Sequence, residues 1–530
     1  MRTIKIAGIL LGLGLTVFAS CSKKFLNVPL QGQSSPSLDP QVALDEVTAT
    51  YSALINPDAT GASAFGGYDI HGVFFVAVTN IISDDADKGS YNLDQPPAAD
   101  IDNFATTSDN TYVEGLWRGY YAGISRANNA ISALAIAALD SNTVKIRTAE
   151  MRFLRGYFYF NLVRMFGGVP VVLTVPTGPT NQDSLFYVRA SSTYVYNTAI
   201  IPDLQYAVNN LPLVQSDIGR VTKGAAETLL AKVYLYLQNW QQAYNLTQQV
   251  ISSGQYQLVP DYSTIWRQEG DNSVESVFEI ETGIYGQTDY GVPEYCEMQG
   301  PRQDNGLGIP TTPWSNPAAW NPTNDGGWGM DMPTQNLVNA YEPGDLRMNA
   351  TIIALPQGGT SDTLFDGFVV PTMVGPGPYQ STVYYNRKAW HSENRYNQIE
   401  VFYGNRSLKQ KNIHILRYAE VLLINAEAAN QLGNSGVAIS DLNQVRSRAG
   451  LGGTTASGQA GLNTAIWNER RVELAMEHDR FWDLVRQGRA AQVMIASGKT
   501  NFVAGKNELL PIPSAEIALS AGRLTQNTGY

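Results

Sequence analysis

Apolar residues return every three or four positions along several separate stretches of this chain, and that spacing commits those stretches to helices with one buried face. Leu116, Tyr120, Ile124, Ala127 and Ile131 form one such stripe. Ile146, Ala149, Phe153, Tyr157 and Phe160 form another, and Gly167-Gly168 followed by Pro170 ends it. Tyr196, Ile200, Leu204, Ala207 and Leu211 make a third, closed by Pro212. Two helix pairs follow: Ala225 to Leu237 with Trp240 to Ser252 around Gln238-Asn239, and Ile415 to Leu432 with Ser435 to Ala449 around Gly433-Asn434. A lone pair cannot bury its apolar faces, so both halves of the chain are expected to pack as one mainly α body.

The pairs share a grammar. Ala231, Tyr234 and Leu235 precede Trp240 and Ala243, and Ala426 and Ala429 precede Gly433 and Ala438. Small residues allow close helix approach while an aromatic fills the groove, which resembles the tetratricopeptide helix–turn–helix unit. Generic antiparallel helix packing accounts for the same residues. The copies are degenerate and separated by insertions, so no regular solenoid is expected.

With 44% hydrophobic residues in 530, the chain can bury a large core. A net charge of −11 repels phosphate backbones and argues against nucleic acid as a partner. The two cysteines, Cys21 and Cys296, are far apart and form no metal or disulfide framework. Cys296 is expected to be a small buried hydrophobe.

Arg2 and Lys5 precede an apolar run from Ile6 to Phe18, which fits a signal-peptide core and is too short to span a bilayer. The run ends Phe18-Ala19-Ser20-Cys21, and small residues directly before a cysteine resemble a bacterial lipobox. The resemblance implies cleavage before Cys21 and lipidation there. Several acyl chains hold a protein stably on a membrane where one does not. Residues 1–20 are thus expected to be a lipoprotein signal peptide and 21–40 the lipid anchor and tether, rich in Gln, Ser and Pro.

Between Glu281 and Leu337 the helical period fails, and Leu355 to Tyr379 is similarly loop-like. Long insertions rich in aromatics are expected to carry function. Sugars present flat C–H faces ringed by hydroxyls, so a receptor needs aromatic platforms flanked by polar groups. Trp314, Trp320 and Trp328 are the leading candidates, with Tyr285 and Tyr290 beside them. Tyr68 and Tyr91 are further candidates from the loop-rich stretch before Trp117.

Four stretches together resemble the SusD/RagB family. They are Arg152-Phe153-Leu154-Arg155-Gly156-Tyr157 running into Phe166-Gly167-Gly168-Val169-Pro170, and Gly219-Arg220-Val221-Thr222-Lys223-Gly224. Next come Glu469-Arg470-Arg471-Val472-Glu473-Leu474 with Glu477-His478-Asp479-Arg480-Phe481-Trp482, and finally Leu510-Pro511-Ile512-Pro513 with the ending Leu524 to Tyr530. They occur in family order over essentially the whole chain. The resemblance implies a SusD-like fold of tetratricopeptide-like helix pairs with a loop-rich insertion region and few short strands. It divides the mature chain into a SusD-like N-terminal region, 41–280, and a RagB/SusD C-terminal region, 281–530. It further implies a cell-surface lipoprotein of polysaccharide utilization, anchored to the outer membrane. Such a protein captures oligosaccharide near the insertions and delivers it to a SusC-like TonB-dependent transporter. RagB-like members take peptides instead, and an aromatic cleft suits either cargo.

No chemistry is expected. His71, His391, His414 and His478 lack metal-ligand spacing, and there is no HExxH, phosphate-binding loop or nucleophile elbow. No cofactor is implied. Ser83-Asp84-Asp85-Ala86-Asp87 offers carboxylates for calcium but not in EF-hand spacing, and reads as a solvated loop at a helix end. From Glu469 to Arg486 charges recur at helical spacing, which predicts a structural ion-pair row. A lipid-anchored helical glycoside hydrolase is the enzyme alternative, since paired carboxylates need meet only in space. Pro511 and Pro513 are expected to hold an extended segment that clamps the chain end.

Overall fold

The computed structural model describes residues 39–55, 70–90, 93–176, 188–282, 295–300, 328–356, 381–390 and 411–530. The described chain is mainly helical. The first long helices are α1 (Pro40–Ser52), α2 (Thr111–Leu134) and α3 (Ser141–Phe166), then α4 (Ile201–Asn210), α5 (Lys223–Tyr236) and α6 (Trp240–Ser252). The C-terminal part adds α7 (Tyr418–Gln431), α8 (Ser435–Arg448), α9 (Gly458–Glu473) and α10 (Arg480–Arg486). Side chains at the N-caps fix where several begin. Asn110 accepts from the N–H groups of Tyr112 and Val113, Asp140 from Asn142 and Thr143, and Thr222 from Ala225. Gly167, at φ +74°, ends α3 where the sequence placed its stop.

The helices stack in chain order: α2 on α3, α3 on α4, α4 on α5, α5 on α6, then α6 across to α7, which packs on α8 and α9. From Ala149 onward α3 is buried on nearly every side, and α7 is buried from Tyr418 to Asn430. These two are interior helices, flanked by amphipathic ones. Two smaller clusters contain Leu337 and Trp266, and one apolar core draws residues from Ala43 to Leu524, so both halves share it. Cys296 is buried in it.

Among the described residues there are three two-stranded antiparallel sheets. They pair β1 (Ala86–Gly89) with β3 (Met330–Pro333), β2 (Ser276–Ile280) with β6 (Ile413–Arg417), and β4 (Ile352–Ala354) with β5 (Tyr384–Asn386). The final segment is clamped as expected. Gln526 bonds both the N–H and the C=O of Ile512, and Asn527 Nδ2 donates to Leu510 O and Phe166 O.

Three sequence expectations are corrected. The helix expected from Ile415 starts at Tyr418, because Ile413–Arg417 is drawn into pairing with β2, and Arg417 is extended at φ −123°, ψ 154°. The charge row from Glu469 to Arg486 is not one helix. The chain turns between α9 and α10, with Met476 and His478 at positive φ, and this lets Glu473 and Glu477 both face Arg417. Its ion pairs are structural, as read, but buried. The Ser83 to Asp87 loop is not solvated either. Asp84 and Asp85 are buried and receive Arg480 at 2.8 Å and Arg471 at 2.6 Å. Those guanidiniums occupy the carboxylates considered above for calcium.

Candidate functional site

The strand pair β1–β3 gathers the places where several insertions leave the frame. Its register is Ala86↔Pro333, Asp87↔Met332 and Gly89↔Met330. Just beyond it, Ser90 N–H donates to Gly329 O at 2.7 Å, and Gly329 N–H donates to Gly300 O at 3.0 Å. Ser90, Gly329 and Gly300 are therefore joined by successive main-chain hydrogen bonds. Thr382 Oγ1 donates to Pro333 O at 2.9 Å, which brings in the foot of β5. Asn386 Nδ2 then donates to Gln299 Oε1 at 2.7 Å and ties β5 to the residues before Gly300.

This platform is held in an unusual backbone. Gly89, Ser90, Gly329 and Asp331 all lie at φ between +47° and +68°. At Gly89 a Cβ would stand 2.5 Å from Gly329 O, so only glycine permits the close approach. Asp331 is fully buried, and its Oδ2 accepts from Asn80 Nδ2 at 3.0 Å. Burial pushes its carboxyl up to about 7, against hydrogen bonds from Asn80 and Asn386. Sparsely populated backbone that persists is over-determined by its surroundings and concentrates where loops carry function.

A polar corner adjoins the platform. Lys88 Nζ donates to Asp94 Oδ1 at 2.8 Å and to Ser90 Oγ at 2.9 Å, and Ser90 Oγ donates to Asp94 Oδ1 at 2.6 Å. Gln95 sits at φ +46°, and its Oε1 accepts from Tyr112 Oη at 2.5 Å. Leu93, directly before Asp94, is 75% exposed. Sequence reading missed these residues, whose short polar runs carry no period. Asp94-Gln95 before Pro96-Pro97 was the available turn signal.

Of the residues singled out from the sequence, the described structure contains Trp328. It is half-buried against the main core, one residue from Gly329 at the platform's edge. Tyr68, Tyr91, Tyr285, Tyr290, Trp314 and Trp320 lie outside the described residues, as do Cys21 and His391. In sequence, Tyr91 directly follows Ser90.

The described histidines are committed to structure. His71 bonds Leu54 O at 2.7 Å and Tyr157 Oη at 2.8 Å, and burial lowers it to about 3. His478 lies 2.9 Å from Thr79 Oγ1 and 3.1 Å from Tyr295 Oη, and burial lowers it to about 4. His414 pairs with Glu279 at 3.1 Å. Among the described residues no cluster of histidine, cysteine and carboxylate side chains could hold a metal ion. Among the described residues the arrangement is a buried, hydrogen-bonded frame.

Comparison with known proteins agrees with this geometry. The profile of the "SusD family" matches residues 370–530, and that of "Starch-binding associating with outer membrane" matches residues 43–235. SusD-like protein P2 of Formosa agariphila is 28% identical over 451 residues, 81% of this chain and 83% of that one. A solved laminarin-binding SusD-like protein is 30% identical with a TM-score of 0.73, covering 93% of this chain and 100% of the other. Surface glycan-binding protein A from Bacteroides fluxus is 26% identical with a TM-score of 0.73, covering 93% and 99%. The frame is thus that of an outer-membrane-associated, glycan-binding class of helical proteins. The chain belongs to the SusD family.

Proposed function

We propose that this protein is a lipid-anchored surface receptor that captures an oligosaccharide and delivers it to a SusC-type TonB-dependent transporter, with no chemistry of its own. The observation that carries the reading is the 30% identity to a laminarin-binding SusD-like protein, spread over 93% of this chain. The convergence of Ser90, Gly300 and Gly329 supports it, because a receptor for a long, flat ligand needs several loops presented side by side on a rigid base. The anchor is Cys21. No described helix is long and apolar enough to cross a membrane.

Titration calorimetry with laminarin oligosaccharides tests the binding. Saturable binding with no new reducing ends is expected. Release of reducing ends makes the protein a hydrolase, and binding of peptides in place of any glycan makes it a peptide receptor. Cys21→Ala is expected to move the protein from the membrane fraction to the soluble one, and its retention on membranes refutes the anchor.

A further inference from the structure

Lys499 reaches the β1–β3 platform from the far end of the chain. The helix before it, α11 (Ala490–Ala496), stops in a tight turn. Gly498 lies at φ +100° and its N–H donates to Ile495 O, while Lys499 N–H reaches back to Met494 O at 3.0 Å. The Lys499 side chain that follows is 9% exposed. The segment is also fastened without it. Asn501 Nδ2 donates to Asn103 O at 3.1 Å, and the rings of Phe502 and Phe104 meet edge-on with centroids 4.9 Å apart.

An ammonium has three N–H donors, and each of these finds an oxygen. Lys499 Nζ donates to Ile81 O at 2.5 Å, to Ala86 O at 3.0 Å and to Asp102 Oδ1 at 2.6 Å. Ile81 ends a helical turn (Ala77–Ile81), whose last carbonyls favour a cation. Ala86 opens β1, and Asp102 Oδ2 accepts from Lys88 N–H at 2.9 Å.

These contacts complete the open edge of β1. On its other edge Asp85 O accepts from Thr334 N–H at 2.9 Å, and Asp87 stands opposite Met332. Main-chain groups alternate in direction along a strand, so those of Ala86 and Lys88 point away from β3. Pro333, opposite Ala86, has no N–H to offer it. Among the described residues β1 has no second strand beside it. The ammonium supplies the donor, and the Asp102 carboxylate the acceptor, that a third strand would otherwise provide. Directly after Lys88, Gly89 and Ser90 take positive φ, and Ser90 N–H bonds Gly329 O.

The same ammonium acts on two carboxylates of the platform. Burial and, more weakly, Asp102 raise Asp87 and Asp331, and Lys499 opposes the rise at both.

We propose that Lys499, acting through Asp102 and β1, is a positioning residue for glycan binding: its ammonium fixes the outer edge of the strand that leads to Ser90, without touching the ligand. The inference rests on the reading that the platform belongs to a glycan receptor.

Three variants test it. Lys499→Met keeps the stem and removes the donors, and Lys499→Ala leaves room for methylammonium. Asn501→Ala loosens the same segment without touching β1. Hydrogen–deuterium exchange over residues 86–90 and calorimetric titration with laminarin oligosaccharides are read beside thermal melts. Below its melting transition, Lys499→Met is expected to exchange faster at Lys88 and to bind glycan about tenfold more weakly, the loss of one charge-assisted bond. Methylammonium is expected to restore slow exchange and affinity to Lys499→Ala and not to Lys499→Met. Asn501→Ala is expected to keep wild-type affinity even where it melts earlier. If Lys499→Met does not fold, Lys499→Ala folded in methylammonium and then dialysed free of it gives the same reading. Wild-type affinity in the Lys499 variants, a loss that methylammonium does not restore, or an equal loss in Asn501→Ala overturns the positioning role while the receptor reading stands. Absence of binding by the wild type is a different failure. It overturns the receptor reading, and the role in glycan binding falls with it even where exchange shows that Lys499 fixes β1.

Discussion

Arg417 Nη1 and Glu473 lie 3.0 Å apart with side chains 1% and 0% exposed. Glu473 also receives Arg448 at 2.6 Å and Arg347 at 3.0 Å, while Arg417 reaches Glu275 at 2.6 Å and Glu477 at 2.7 Å. The cluster joins β6, α8, α9 and the start of β2 in the interior. Burial alone would raise the Glu473 carboxyl. The guanidiniums of Arg448, Arg417 and Arg347 instead hold it well below the usual range.

Glu473→Gln leaves three guanidiniums short of a counter-charge and is expected to cost about 3–5 kcal/mol, as when one partner of a buried pair is removed. Glu342→Gln removes one of the two carboxylate partners of Arg446, and with the Glu342 side chain 54% exposed it is expected to cost about 0–1 kcal/mol. Denaturant unfolding of both variants reads the contrast. Equal costs would show that the cluster does not act as a buried network.

Two buried groups of opposite sign give a pH signature. The unfolded chain protonates His71 near pH 6.5, whereas burial holds it at about 3 in the folded protein, so its contribution to stability falls as pH drops from about 6.5. Burial raises Asp331 to about 7, so its contribution is present below about pH 4 and lost as pH rises toward 7. Each changes by about 1.4 kcal/mol per pH unit within its window. His71→Gln should therefore lose its disadvantage relative to wild type as pH falls from 7 to 4.5. Asp331→Asn should gain on the wild type as pH rises over the same range. Urea midpoints measure both, and parallel profiles for the three proteins contradict the assignments.

The helices were legible because burial on one face leaves a period, as Leu116 to Ile131 shows, whereas α3 carries the stripe Ile146 to Phe160 yet is buried on nearly every side from Ala149 onward. What the period could not reveal was where a helix yields to a strand. Ile415 fits the stripe of α7 equally well, and only pairing with β2, remote in sequence, moves it into β6. Charge spacing was ambiguous in the same way. Glu473 and Arg470 have the spacing of a surface row but are buried, because their partners Arg417, Arg347 and Glu420 come from distant segments. The platform was invisible: Ala86-Asp87-Lys88-Gly89 has no alternation and little β-propensity, and its partner β3 lies far along the chain. Composition alone pointed at the aromatic insertions, and of those rings Trp328 is in the described structure.

Two glycines separate backbone freedom from close approach. Gly254, at φ +65°, has nothing within 4 Å of the place a Cβ would take, so Gly254→Ala carries only the left-handed penalty of about 1 kcal/mol. Gly89 has nearly the same φ, +66°, but its Cβ would meet Gly329 O at 2.5 Å. Gly89→Ala is expected to cost clearly more and to lower glycan affinity by shifting the platform. Equal melting temperatures for the two variants, with affinity retained, would mean the β1–β3 contact does not position the site.

The tryptophans are expected to divide by what each ring does. Trp328 is half-buried against the core and stands beside Gly329. Replacing an aromatic wholly packed in a core costs about 3–5 kcal/mol, so a half-buried ring should cost part of that. Trp328→Ala is therefore expected to lower the melting temperature as well as the affinity for glycan. Trp314 and Trp320, proposed as platforms, are expected to behave differently when changed to alanine. A ring that stacks on a ligand contributes to the complex and little to the free fold, so affinity should fall by about tenfold or more while the melting temperature holds. Calorimetric titration with laminarin oligosaccharides, run beside thermal melts of the three variants, separates the roles. Wild-type affinity in both Trp314→Ala and Trp320→Ala would move the binding surface to the tyrosines, with Tyr91, directly after Ser90, the next position to change.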